Sequence, residues 1–106
     1  MKALFETSKR LNSRAVSLTR CLILVLIGYS IDGLQFRELK AALKISDGKL
    51  IANINELLRM NYITKSESEL DNKRLDIYQL TEDGKKELDK ISQWMELVGK
   101  AVKQIC

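Results

Sequence analysis

The sequence predicts a mainly α chain with a small β-hairpin, an α+β arrangement, and three observations carry that reading. Two stretches of helical periodicity, residues 36–43 and 49–60, are separated only by Lys44 and a cap-forming Ile45-Ser46-Asp47-Gly48. Two β-rich runs, residues 62–65 and 74–80, follow at once. A long helical apolar stripe then occupies the C-terminal end. Helix, tight turn, helix and hairpin in this order predict a winged helix-turn-helix, here flanked by N- and C-terminal helices.

Bulk properties limit the alternatives. The 106 residues, 45% of them apolar, suffice for one modest core, so a single domain is expected. Within it we read an N-terminal helical extension (1–14), the winged core (15–81) and a C-terminal dimerisation helix (82–106). The net charge of +4 and pI near 9.1 are mild evidence for a polyanionic partner. The excess sits in residues 1–64, with ten Lys/Arg against five Asp/Glu, whereas residues 65–106 hold eight against nine.

Residues 1–14 mix charges with Leu4, Phe5 and Leu11, a sparse stripe that suits a surface-lying amphipathic helix. From Ala15 the same helix is expected to turn almost wholly apolar through Ile27, then stop at Gly28, Ser30, Asp32 and Gly33. Its apolar run, residues 21–27, falls far short of the roughly 20 residues that span a bilayer. It also lies too deep for a secretory signal, so the chain reads as cytoplasmic, with no membrane partner. Leu34-Gln35-Phe36 is expected to form a brief strand.

The next helix places Phe36, Leu39 and Leu43 on one side, with Arg37, Lys40 and Lys44 outward. Ser46 is a preferred N-cap for the helix after it, and Asp47 puts negative charge where the helix dipole favours it. Gly48 is expected to let the backbone approach a neighbour. Leu50, Ile51, Ile54, Leu57 and Leu58 fall within one arc of about 120°, which predicts the buried face. The opposite arc offers Lys49, Ala52 and Asn53 early enough in the helix to reach base edges in a major groove. Asn61 sits where a left-handed residue usually ends a helix.

The hairpin is expected to have a charged tip, residues 66–73, and Thr81 to cap the last helix with Glu82 and Asp83 behind it. In that helix Leu88, Ile91, Met95, Val98, Val102 and Ile105 repeat with gaps of 3, 4, 3, 4 and 3. This seam suits a homodimer interface, although the same periodicity also suits packing against the N-terminal helix.

Other chemistry finds little support. There is no histidine, no phosphate loop and no nucleophile elbow, so no catalytic residue, cofactor or metal is assigned and the chain is not expected to be an enzyme. Cys21 and Cys106 lack metal-ligand spacing; a core thiol and a terminal thiol describe them better than a sensor does.

The runs 34–39, 45–50 and 57–63, with Asp71-Asn72-Lys73-Arg74 and 80–84, together resemble the MarR/PadR-type winged-helix transcriptional regulators, especially their small archaeal and bacterial branch. The resemblance covers about half the chain directly. It implies a homodimeric regulator, often a repressor, whose recognition helices enter successive major grooves of double-stranded DNA. Carried over residue by residue, Gly48, Lys49, Ala52 and Asn53 read the groove, Lys73 and Arg74 are the wing cations, and Asp71 orients the wing arginine. This chain departs from the branch at Lys49, usually Asn, at Ala52, usually a hydroxyl residue, and at Asn61, usually Gly.

On chemistry, Lys49 suits guanine O6 or N7, or a phosphate, and Asn53 suits adenine. Arg37, Lys40 and Lys65 suit phosphates. A small-molecule effector is not identified; its expected place is the cleft between winged core and dimer helices, which Tyr29, Trp94 and Met95 are candidates to line, although core packing suits all three better. The rival reading is a winged-helix protein adaptor that binds no DNA.

Overall fold

A computed structural model describes residues 2–15 and 17–106, apart from the Leu70 side chain. Helix α1 (Lys2–Lys9) is followed by α2 (Leu18–Tyr29), β1 (Leu34–Gln35), α3 (Phe36–Leu43), α4 (Asp47–Arg59), β2 (Ile63–Leu70), β3 (Lys73–Leu80) and α5 (Glu82–Ile105). The strands form one antiparallel sheet in the order β1-β3-β2. Leu34 pairs with Tyr78 at one side of β3, and Lys65 pairs with Tyr78 at the other.

The expected continuous helix through residues 1–27 is instead two helices. Ser17 caps α2 by accepting from Arg20 N, which begins a new helix where side-chain and backbone bonding compete. Upstream, Asn12 holds a turn: its Oδ1 accepts from Arg14 N, and its own backbone N–H donates to Glu87 Oε2 at 2.9 Å. Its Nδ2 donates to the Tyr62 hydroxyl, which donates to Glu87 Oε1 at 3.2 Å. The Glu87 carboxylate is buried and satisfied by this network, tying the N-terminal turn to the base of the hairpin and to α5.

Helices α3 and α4 form where the periodicity places them. Glu38 accepts from Gln35 N at 3.0 Å to begin α3, and Ser46 accepts from Lys49 N to begin α4. The second helix starts two residues earlier than expected, because Ser46 caps from outside and Asp47 is its first helical residue. Asn61 adopts φ 62°, the left-handed conformation its position requires. On α4, Leu50, Ile54 and Leu57 are buried, but Ile51, expected in the core, is 48% exposed because it lies at the edge of the apolar arc.

The core joins α2, α3, α4 and the sheet through Ile23, Leu24, Ile27, Leu39, Leu50, Ile54, Leu57, Ile63 and Tyr78. Burial of each such aliphatic side chain contributes about 1.5–3 kcal/mol. Gly84 seats α5 on this core: a Cβ there would lie 2.2 Å from the Tyr62 carbonyl oxygen, so no larger residue fits without moving the backbone. Thr81 caps α5 by accepting from Gly84 N. Among the described residues no helix is long and apolar enough to cross a membrane.

The hairpin is longer than the sequence suggests. Its strands run from Ile63 to Leu70 and from Lys73 to Leu80, leaving a two-residue turn, Asp71-Asn72, with φ of 54° and 62°. Two successive left-handed residues match the twist of paired strands, and Asp and Asn tolerate them. The expected loop 66–73 is therefore mostly strand. Its polar sequence hid this, since a ribbon solvated on both faces needs no apolar alternation.

Candidate nucleic-acid interface

The exposed side of α4 begins beside its cap. Beyond its chain neighbours and the backbone of its own helix, no described atom lies within 4 Å of the position a Cβ on Gly48 would take, so the expected close neighbour is not found among the described residues. The N-terminus of α4 is thus left open to an outside partner. Lys49 and Ala52 are exposed, and Lys49 forms no ion pair among the described residues. Asn53 is half-buried: its Nδ2 donates to the Lys49 carbonyl at 2.8 Å, and its Oδ1 accepts from Arg20 Nε at 2.9 Å. Arg20, on the first turn of α2, also donates to the Arg14 carbonyl.

Sequence reasoning missed Arg20 at this surface. Only the packing of α2 against α4 brings the two residues together across 33 positions. A cation one turn past the Ser17 cap was the sole available signal, and it does not reveal which helix it faces.

The remaining nominated cations divide by pairing. Arg37 is exposed and has no ion-pair partner among the described residues. Lys40 pairs with Asp47, Lys65 with Asp76 at 3.6 Å, and Arg74 with Glu67. The Arg74 partner is thus Glu67, not Asp71, because Glu67 lies diagonally across the ladder on the same face while Asp71 forms the turn. Each of these pairs is exposed, so exchange for a phosphate costs little. Lys73 and Arg74, adjacent in a strand, point to opposite faces of the ribbon. Both lie on the strand just after the turn rather than at its tip.

The apolar residues nominated for a dimer seam on α5 are placed unequally. Ile91 is 2% exposed, covered by its own chain, and Leu88 and Val98 are half-buried, whereas Met95, Val102 and Ile105 are exposed. Helix α1 packs along α5, with Ala3 and Leu4 beside Leu97 and Ala101. A second stripe lies on α2, where Leu18, Leu22, Val25 and Tyr29, spaced 4, 3 and 4 apart, are all exposed. The almost wholly apolar helix therefore has an uncovered face. A shallow cleft between α2 and α5 is lined by Val25, Tyr29, Leu80 and Leu88; Trp94 and Met95 do not line it.

The cysteines stay apart from this surface. Burial, reinforced by the negative charge of Glu87, pushes the Cys21 thiol above its ordinary value, which disfavours the reactive thiolate. Cys106 is exposed, and both are free.

A helix-turn-helix with a β-ribbon beside it, and an open polar face on its second helix, defines the winged-helix class of nucleic-acid-binding domains. A family model described as a winged helix DNA-binding domain matches residues 20–98, and the chain belongs to that family. This is a family of DNA-binding domains, not of enzymes.

Solved structures share the fold at low identity. A MarR-family transcriptional regulator from Rhodococcus sp. RHA1 is 21% identical, with 99% of this chain and 69% of that chain covered and a TM-score of 0.64. A PadR-like transcription factor from Bacteroides fragilis is 15% identical, covering 99% and 97%, with a TM-score of 0.70. A point mutant of MepR from S. aureus, bound to an oligodeoxyribonucleotide, is 15% identical, covering 97% and 78%, with a TM-score of 0.71. The fold is that of MarR-type regulators. No curated protein sequence matches the chain.

Proposed function

We propose that the chain is a sequence-specific transcriptional regulator that binds double-stranded DNA as a homodimer and represses by occupying its operator. The observation that carries this reading is the open start of α4, where uncrowded Gly48 and exposed Lys49, without an ion-pair partner among the described residues, lead a capped helix toward solvent. Membership in a DNA-binding family and the oligodeoxyribonucleotide bound to MepR support a DNA partner. In this reading Lys49, Ala52 and Asn53 address base edges. Arg37, Lys40 and Lys65 neutralise phosphates, and Lys73 and Arg74 contact DNA from the wing.

The homodimer rests on exposed apolar surface. Leu18, Leu22, Val25 and Tyr29 on α2 and Met95, Val102 and Ile105 on α5 are more apolar area than a lone domain needs to leave in water. Pairing two copies through these helices sets the spacing of the two recognition helices and hence the half-site separation. An effector bound in the cleft between α2 and α5 would alter that spacing.

Gel shift with genomic fragments over a salt series tests the DNA reading. Retention at low salt with a steep loss as salt rises is expected. Absence of any shift at low salt overturns it in favour of an adaptor role. Sedimentation tests the dimer: Val25→Glu and Val98→Glu should each give monomers, and a dimer that survives both removes these helices from the interface.

A further inference from the structure

The formal charge of the protein is localised more sharply than the wing and recognition helix suggest. Residues 1–20 carry five Lys/Arg and one Asp/Glu, whereas residues 21–106 carry thirteen of each, so the whole excess of +4 lies in the N-terminal segment. Arg20 is the member of that segment that touches the recognition helix. Its acceptors there, Asn53 Oδ1 and the Arg14 carbonyl, are both neutral, and no ion pair compensates it among the described residues.

We infer that Arg20 is a specificity-determining positioning residue for DNA, orienting the Asn53 amide toward an adenine while its own charge engages a phosphate. The inference rests on the proposed use of α4 as the base-reading helix.

The hydrogen-bond inventory supports both halves. A side-chain amide has two lone pairs and two N–H groups, and a guanidinium has five N–H groups. Arg20 takes one lone pair of Asn53, and the Lys49 carbonyl takes one amide N–H. The amide therefore keeps one acceptor site on its oxygen and one donor on its nitrogen, the set that a bidentate contact with adenine N6 and N7 consumes. The two internal bonds also stop the amide from rotating, so the ordering cost falls on folding rather than on DNA binding. On Arg20, Asn53 and the Arg14 carbonyl engage two N–H groups, and the others remain available to a phosphate alongside α4.

Selection from a random-sequence duplex library by the wild-type protein, Arg20→Ala, Arg20→Lys and Asn53→Ala tests this, followed by salt titration on the duplex that the wild type selects. The wild type should select an adenine in each half-site. Arg20→Ala should reduce that preference about ten-fold and make the salt slope shallower by about one phosphate per subunit. Arg20→Lys should keep the slope but lose the preference, because an ammonium lacks the planar fork that holds both acceptors. Asn53→Ala should lose the preference and keep the slope. If Arg20→Ala is folded, matches the wild-type adenine preference and keeps its salt slope, the inference is overturned while the DNA-binding reading stands. A wild-type protein that holds no duplex overturns that reading and the inference together.

Discussion

The sequence nominates both the recognition helix and the wing as DNA-facing parts, yet the two are built on opposite principles. Helix α4 is fixed by a cap at Ser46 and by Leu50, Ile54 and Leu57 in the core, and its leading cation has no ion-pair partner among the described residues. The β2-β3 ribbon beyond its base is solvated on both faces. It is held by its turn and ladder, and Lys65 and Arg74 answer to Asp76 and Glu67. Residues 65–76 carry three cations against four anions. The difference teaches that the helix supplies position and the ribbon supplies reach, with little charge of its own to spend.

The largest expected effect tests position. Leu57→Ala should destabilise the fold by about 3 kcal/mol in urea unfolding, while Ser68→Ala on the ribbon should change it by less than about 0.5 kcal/mol. Equal effects would erase the contrast. Next, Asn72→Val forces a β-branched residue to positive φ and should cost about 1–2 kcal/mol. Amide exchange should show that loss in β2 and β3 and leave α4 protected. Exchange rising equally in both would show that ribbon and helix unfold as one unit.

Binding comparisons are smaller. Lys49→Ala should weaken operator binding about ten-fold, and Arg74→Ala by no more than about three-fold, since the latter cation already has a partner. The reverse order in a gel shift would make the wing the principal contact. Glu67→Ala should release Arg74 and strengthen binding by about two-fold without a measurable change in stability. Unchanged affinity would place Arg74 away from DNA.

The smallest effect is in pH. Burial pushes the hydroxyls of Tyr78 and Tyr62 above the ordinary phenol value of about 10. A raised folded-state value means that the stability tied to these phenols is present below that pH and lost as pH rises past it. Thermal unfolding should therefore show no tyrosine-linked loss below pH of about 9 and a decline only in stronger alkali.

What the sequence disclosed follows the strength of local signals. Ser46 and Thr81 bond through their hydroxyls to backbone N–H groups three residues on, and Asn61 acts through its own φ, so caps and stops were readable, and the two short helices followed from the spacing of Leu39, Leu43, Leu50 and Leu57. The break after α1 was half-written in Asn12, Ser13 and Ser17, all poor interior helix residues, but their partner Glu87 lies 75 residues from Asn12. Long-range polar bonds leave no periodic trace. The same holds for Arg20 and Asn53. The ribbon was under-read because Asp71-Asn72 is a weaker turn signal than Asn-Gly, and the alternation in residues 65–69 is charge against serine rather than apolar against polar.

The network at Glu87 has a consequence for how the chain acquires its shape. Joining Asn12 to Glu87 closes a loop over most of the molecule, an event that conformational entropy places late in folding. The helix-turn-helix and hairpin have only short separations to close, so they can assemble before the N-terminal arm docks. Once docked, the arm is held at several points at once, by Asn12 on Glu87 and Tyr62 and by α1 along α5, so its departure breaks them together rather than by gradual fraying.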